Sequence, residues 1–170
     1  MEKMDIPTLH DWENHSPDWW MGSNTQPISK ETLMQFIVGN PDLYRDRQCR
    51  WMLDCKSPEG NWTTVGAVDL YEFEPRQQRA GVAIHIDKDL RRQGHATAGL
   101  QLLTAFVRQH LGLRQTFAEV PSNHDASIRL FTKVGYRETG RREQWLRTPD
   151  GTWLDVITLQ HFHEQTATLP

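Results

Sequence analysis

The hexapeptide Arg91-Arg92-Gln93-Gly94-His95-Ala96 carries the clearest chemical signal in the chain. It falls between a segment of strand character and the start of a long amphipathic helix. There, unpaired backbone N–H groups and the positive end of the helix dipole point the same way, and such a place binds an anion. Gly94 lets a backbone approach closely, Ala96 keeps the first helical turn uncluttered, and Arg91 and Arg92 add positive charge, a combination that suits a pyrophosphate. The loop lacks the Gly-Lys-Ser/Thr ending of a Walker loop and the three glycines of the dinucleotide fingerprint. Taken alone, six such residues suit a basic turn around a glycine as well as they suit an anion site.

Other residue types raise other chemistries. His161 and His163 put two imidazoles on one face of a strand, and His10 and His15 lie five apart. Neither pair has the further ligands that a zinc site needs, so no metal is expected. His85, in the strand before the loop, reads as a packed or pocket-lining histidine rather than a catalyst, and His95 as a solvent-facing one.

The elements that must position the loop follow from periodicity and turn chemistry. A short helix is expected over Ile6 to Asn14. A second starts after Ser29, which can cap it; Ile28 can staple to Leu33, and Leu33, Phe36 and Ile37 line one face as far as Gly39. Three extended segments follow, Gln48 to Cys55, Trp62 to Phe73 and Arg79 to Ile86, parted by turn residues at 57–61 and 75–78 and reading as an antiparallel meander. From Gly94 to Leu111 the period becomes helical, with Ala96, Leu100, Leu103, Val107 and Leu111 on one stripe and Gly112 as a left-handed terminator. A strand over Gln115 to Val120, a helix from a capping Asp125 to about Val134 and a terminal hairpin, Tyr136 to Arg147 and Thr152 to Phe162, complete the reading. Strand, helix, strand across residues 80 to 120 is a crossover unit, which places a ligand site at the strand ends of a mixed sheet.

Size and charge bound the function. A length of 170 residues fits one domain spanning 1–170. A formal charge of -3 lacks the single-sign excess of a duplex nucleic-acid binder or a membrane-surface anchor, so neither partner is expected. There is no apolar run of membrane length and no signal-peptide pattern at the start. Cys49 and Cys55 lie in one strand, about 20 Å apart at about 3.3 Å per residue, too far for a disulfide. Two unpaired thiols suit a reducing compartment, and a cytoplasmic protein is expected.

In this context Arg91-x-x-Gly94-x-Ala96, following a strand and opening an amphipathic helix, resembles the acetyl-CoA-binding motif of the GNAT superfamily of N-acetyltransferases. About 30 residues on, the stretch Ser127 to Tyr136 resembles that superfamily's second landmark, a helix ending in Leu-aromatic-x-x-x-Gly-aromatic. The resemblance is nearest to the branch of ribosomal-protein alanine acetyltransferases and spermidine or diamine acetyltransferases, and Asp42 to Arg50 is also similar to the diamine enzymes. It implies an α/β (α+β) fold, a single domain with a mixed, mostly antiparallel twisted sheet flanked by helices. The superfamily normally opens with a strand before its first helix. Here that edge strand is expected to be missing or to lie upstream of Met1.

The resemblance also implies a site. Acetyl-CoA is the expected co-substrate, its pyrophosphate on the backbone amides of Arg92, Gln93, Gly94, His95 and Ala96 beside Arg91. Its pantetheine arm would lie along Ile84, His85 and Ile86, where the strand splays from Thr116 to Val120. An unpaired amide near Ile84 or Ile86 would act as oxyanion donor. The amine attacks directly in a ternary complex, so no cysteine need react. An alkylammonium must first lose a proton. Asp69, Glu72, Glu74 and Glu119 are the candidate bases, Glu119 and Asp69 foremost; alternation sets Glu72 and Glu74 on one face with Leu70 and Asp69 on the other. Each of them also fits a solvated surface carboxylate.

Three departures from the family pattern bear on this. Phe131 stands where many members have a proton-donating tyrosine, leaving Ser127, Tyr136, a water or no group to protonate the thiolate. His124 stands where an asparagine contacts the cofactor, with Asn123 one place earlier; the third departure is the edge strand. The family's first two helices shape the acceptor pocket, so Trp12, Trp19 and Trp20, with Asp11, Glu13 and Asp18, would suit a cationic amine. The same tryptophans would equally fill a core. The expected activity is acetyl transfer to a primary amine, either a small polyamine or a peptide N-terminus. A non-catalytic acetyl-CoA-sensing module and a phosphate-ligand domain of unrelated chemistry are the alternatives. The C-terminal hairpin offers an edge that can pair across a homodimer.

Overall fold

Between residues 49 and 86, two turns cut an apolar, β-branched stretch into three strands, and each turn has a visible cause. Gly60 takes φ +92° in the first, and Gln78 takes φ +51° in the second. In the computed structural model, which describes residues 1–15, 21, 26–39 and 41–163, these strands are β1 (Cys49–Lys56), β2 (Trp62–Glu74) and β3 (Arg79–Ile86). With β4 (Gln115–Pro121), β5 (Arg137–Arg147) and β6 (Trp153–Phe162) they form one six-stranded sheet, ordered β1-β2-β3-β4-β6-β5. Every neighbouring pair is antiparallel except β3 and β4. Among the described residues no strand precedes the first helix.

The helices are α1 (Ile6–His15), α2 (Lys30–Val38), α3 (Leu43–Asp46), α4 (His95–Gln109) and α5 (Asp125–Lys133). Ser29 caps α2 by accepting from the Thr32 amide, as its residue type predicts. The apolar face expected of α2 is only partly used: Leu33 and Ile37 are half-buried and Phe36 is exposed. The middle of the α4 stripe is used, with Leu100, Leu103 and Val107 buried against Val68, Leu70 and Val82 at roughly 1.5–3 kcal/mol per side chain; Ala96 is half-buried, and Leu111 is half-buried beyond the helix end. Gly99 makes this close packing possible, because a Cβ there would lie 2.7 Å from a Leu53 methyl. Gly112, at φ +60°, ends the segment, and Leu113 donates back to the Val107 carbonyl.

Two local expectations are overturned. The α5 cap is His124 rather than Asp125: the His124 ring nitrogen Nδ1 accepts from the Ser127 amide at 3.3 Å, and Asp125 instead sits in the first turn, where a negative charge meets the helix dipole. In β2 the strict alternation breaks at Glu72, a bulge residue at φ +47°. One extra β2 residue lies between the pairs Tyr71↔Gly81 and Glu74↔Arg79. Glu72 is therefore thrown into solvent and Phe73, 1 % exposed, into the core.

A buried polar network lies where β4 meets the end of β6. Thr116 Oγ1 is 2.7 Å from Tyr136 Oη and 3.2 Å from His163 Nε2. His161 lies between the two other rings, tilted against Tyr136 and edge-on to His163. Burial, reinforced by His161 and Arg108, pushes His163 down to about 4. Both histidines are thus held neutral in the folded state, while an unfolded imidazole takes up its proton near pH 6.5. Folding stability should therefore be intact above about pH 6.5 and fall by about 2–3 kcal/mol as the pH drops toward 4. Urea unfolding of wild type and His163→Phe at pH 7.5 and 4.5 checks this. Wild type should lose more than the variant, and parallel losses would refute the assignment.

Candidate active site

Pairing between β3 and β4 covers only Arg79↔Gln115, Ala80↔Thr116 and Gly81↔Phe117. Beyond it the strands diverge, so the edges of Val82–Ile86 and Ala118–Pro121 that face each other are unpaired. Unpaired strand backbone in a protein interior must find donors and acceptors, and a ligand with amide groups supplies them. The wedge is therefore a binding slot by construction. It opens toward the loop that joins β3 to α4.

That loop is built to receive an anion. Gly94, the N-cap of α4, sits at φ +89°, and no side chain caps the first turn of the helix. A Cβ at Gly94 would meet nothing within 4 Å, so the space over these amides is open. Arg92 is also left-handed, at φ +63°, an unusual conformation for a side-chain-bearing residue that costs about 1–2 kcal/mol. Left-handed residues on either side of Gln93 turn successive amides toward one side, the arrangement of an anion-binding nest. Arg91 anchors the loop to the wedge by donating from Nε to the Ile86 carbonyl at 3.1 Å. These features fit a pyrophosphate bound by backbone amides, with the exposed Arg92 guanidinium free to approach it.

The opposite face of the sheet carries charge. Arg50 on β1, opposite Asp69 on β2, donates from Nε and Nη2 to the two Asp69 oxygens at 2.7 and 2.8 Å, and also holds Glu13 of α1. Burial alone would lower the guanidinium pKa, but the bonds and charges of Asp69 and Glu13 outweigh it and keep the side chain charged. Two strands further on, His85 lies under α1 with its ring 4.8 Å from that of Trp12. Trp12 in turn donates to Asp87 at 3.1 Å, and the other Asp87 oxygen accepts from the Asp89 amide. These residues, with Asp11, His15 and Arg91, line a cleft of about 130 Å³ at the end of β3.

Of the residues picked from sequence, the structure brings Ile84, His85, Ile86 and the loop 91–96 together at the mouth of the wedge. Ser127 is half-buried in the first turn of α5, its amide bonded to His124, and Asn123 is exposed in the turn after β4. Glu119 lies on β4 beyond the last pair with β3 and is ion-paired to Arg142 of β5. Asp69 has both oxygens engaged by Arg50. Tyr136 does not reach the wedge: it is 3 % exposed, bonded to Thr116 in the paired end of β4, and burial pushes its hydroxyl up to about 12. Phe131 is 3 % exposed and packs on the Tyr136 ring, a core contact. The expected face of Leu70 with Glu72 and Glu74 is broken by the bulge. Trp19, Trp20 and Asp18 lie outside the described residues.

Sequence reasoning passed over Arg50, whose partners lie 19 and 37 positions away, and the Trp12–Asp87 bond, which joins residues 75 apart. No local signal marks such pairs. Among the described residues no three His, Cys, Asp or Glu side chains group as a metal site requires, and no helix is long and apolar enough to cross a membrane.

A profile described as acetyltransferase (GNAT) domain matches residues 1–137, and the chain belongs to that family, as an N-acetyltransferase with acetyl-CoA as co-substrate. Sequence comparison with curated proteins returned no match. Among solved structures, the spermidine N-acetyltransferase of Vibrio cholerae in complex with CoA and spermine superposes with a TM-score of 0.80 at 17% identity, over 97% of this chain and 94% of that one. A dodecameric structure of the same Vibrio cholerae enzyme, in an intermediate state, superposes with a TM-score of 0.78 at 17% identity, over 99% and 94%. At these identities the likeness is one of fold.

Proposed function

We propose that this chain acetylates a primary amine of a small polyamine, in a ternary complex with acetyl-CoA. In this reading the loop 91–96 holds the pyrophosphate, and the pantetheine arm lies in the wedge along Ile84 to Ile86. A backbone amide of that strand polarises the thioester carbonyl. The amine enters from the α1 side. The observation that supports the reading is the cleft at the end of β3, lined by the Trp12 ring and by the Asp11 and Asp87 carboxylates, with Lys88 and Arg91 balancing their charge. The indole face and the two carboxylates offer an alkylammonium cation–π and ionic contacts, and the two cations offer a second site for the cofactor side.

The test is CoA release from acetyl-CoA, followed with a thiol-reactive dye, across spermidine, spermine, putrescine and peptides with free N-termini. Polyamines should turn over at least about tenfold faster, as kcat/KM, than any peptide, a difference of about 1.4 kcal/mol in transition-state binding. Turnover on a peptide alone would move the acceptor to a protein N-terminus. Binding of acetyl-CoA without turnover on any amine would favour a sensing module, the reading that Phe131 and the remote Tyr136 hydroxyl favour.

Two further features belong to this proposal. The outer edge of β5 ends the sheet, with Trp145 and Trp153 more than half exposed beside it. Such an edge suits pairing with a second copy, and light scattering should return a homo-oligomer mass. Cys49 and Cys55 are both free thiols on β1, in keeping with a cytoplasmic site of action.

A further inference from the structure

An alkylammonium acceptor must give up a proton before its nitrogen can attack, and among the described residues the carboxylates on the α1 face of the sheet are each already engaged. Asp69 and Glu13 are bonded to Arg50, and both Asp87 oxygens accept hydrogen bonds. Asp11 is paired with His15 at the exposed rim. Glu119, on β4, is paired with Arg142. His85 differs from all of these. It sits between Ile84 and Ile86 in the strand that borders the wedge, lines the cleft, and has its Nε2 buried with no hydrogen-bond partner among the described residues.

A buried ring nitrogen without a partner costs about 1–3 kcal/mol unless something satisfies it. An ammonium N–H that enters the cleft and reaches the ring would supply the missing donor. The groups around the ring set its charge. Burial, then Arg91 of the loop and Arg50 of β1, hold the imidazole below its ordinary value, while Asp87 at the end of β3 and Glu13 of α1 act the other way. Lys88, Asp11 and His15 complete the charged lining of the cleft. The balance leaves a neutral ring at pH 7, the form that accepts a proton.

Resting on the acetyl-transfer reading above, we propose that His85 is the base that takes the proton from the acceptor ammonium. An N–H bond of the ammonium breaks and its proton passes to His85 Nε2. The freed lone pair then forms a C–N bond with the thioester carbonyl carbon. The C–S bond breaks, CoA leaves as thiolate, and the second proton on the acetylated nitrogen goes to that sulfur. His85 returns its proton to solvent.

The experiment compares wild type with His85→Gln in CoA release from acetyl-CoA with spermidine, or with whichever panel amine wild type turns over, from pH 5 to 9. Glutamine keeps the size and polarity of the side chain but does not titrate. Wild-type kcat/KM should fall with acid through an inflection below about 6.5. His85→Gln should lose at least about a hundredfold in kcat/KM at pH 7 and lose the inflection, its rate instead rising with hydroxide. Acetyl-CoA affinity, measured calorimetrically, separates a loss of cofactor binding from a loss of proton transfer, since the pantetheine arm runs along the same strand. A variant within about threefold of wild type, with the inflection kept, overturns the assignment while leaving acetyl transfer intact. Absence of turnover in wild type on every amine overturns both. Should the variant bind acetyl-CoA poorly, ¹³C titration of the His85 ring in wild type decides, since a ring midpoint more than about half a unit from the kinetic inflection overturns the role.

Discussion

Gly94→Trp should abolish saturable acetyl-CoA binding, weakening it by at least about a hundredfold, or about 2.7 kcal/mol, in isothermal titration. Two effects act together. An indole at this position projects into the open space beside Gly94, which the proposal assigns to the cofactor's pyrophosphate. It also burdens a backbone at φ +89° with a Cβ, a strain of about 1–2 kcal/mol. The fold survives because α4 is held by Leu100, Leu103 and Val107, not by its first turn. Gly60→Trp is the matched control: Gly60 has φ +92° and equally open surroundings, but lies in the β1–β2 turn. It should cost similar stability and leave binding untouched. Binding by Gly94→Trp within about threefold of wild type would remove the loop from the cofactor site.

Arg50→Met should destabilise the fold by about 3 kcal/mol in urea unfolding. The guanidinium joins three elements, α1 through Glu13 and β1 to β2 through Asp69, and its removal takes away the cation that both carboxylates contact. Breaking a buried pair costs about 3–5 kcal/mol. Here the three side chains are 20–30% exposed, which sets the expectation at the low end of that range. Combining Arg50→Met with Glu13→Gln and Asp69→Asn should recover most of the loss, because the penalty belongs to two negative charges that have lost a shared cation. A loss under about 1 kcal/mol would mark the cluster as an ordinary solvated one. The α1 helix should be the element that loosens first, and hydrogen exchange at Leu9 and Trp12 reports it.

Periodicity and turn chemistry made most elements legible before any coordinates. The alternating stretches became β1 to β3, the stripe Leu100, Leu103, Val107 became the buried face of α4, and Gly94 became the left-handed N-cap of that helix. These features depend on neighbours within a few residues, where steric and hydrogen-bonding rules act locally. The misses fell where a local rule met a tertiary demand. Asp125 is a good capping residue, yet His124 reaches the Ser127 amide first. Alternation held along β2 until the bulge at Glu72 turned Phe73 into the core. Tyr136, next to a helix end and aromatic, passed for a replacement proton donor until its hydroxyl proved tied to Thr116 at the closed end of the sheet.

The sequence by itself determined most of the elements, the order in which they come and the glycine-led turn before α4, because backbone preferences and hydrophobic period are written in adjacent residues. Only the tertiary structure decided which carboxylates are spent in ion pairs and which polar group is left over. Arg50 finds Asp69 across 19 positions and Glu13 across 37, and Trp12 finds Asp87 across 75. An ionisable side chain takes its character from the groups within a few ångströms of it, and in this chain those groups arrive by folding.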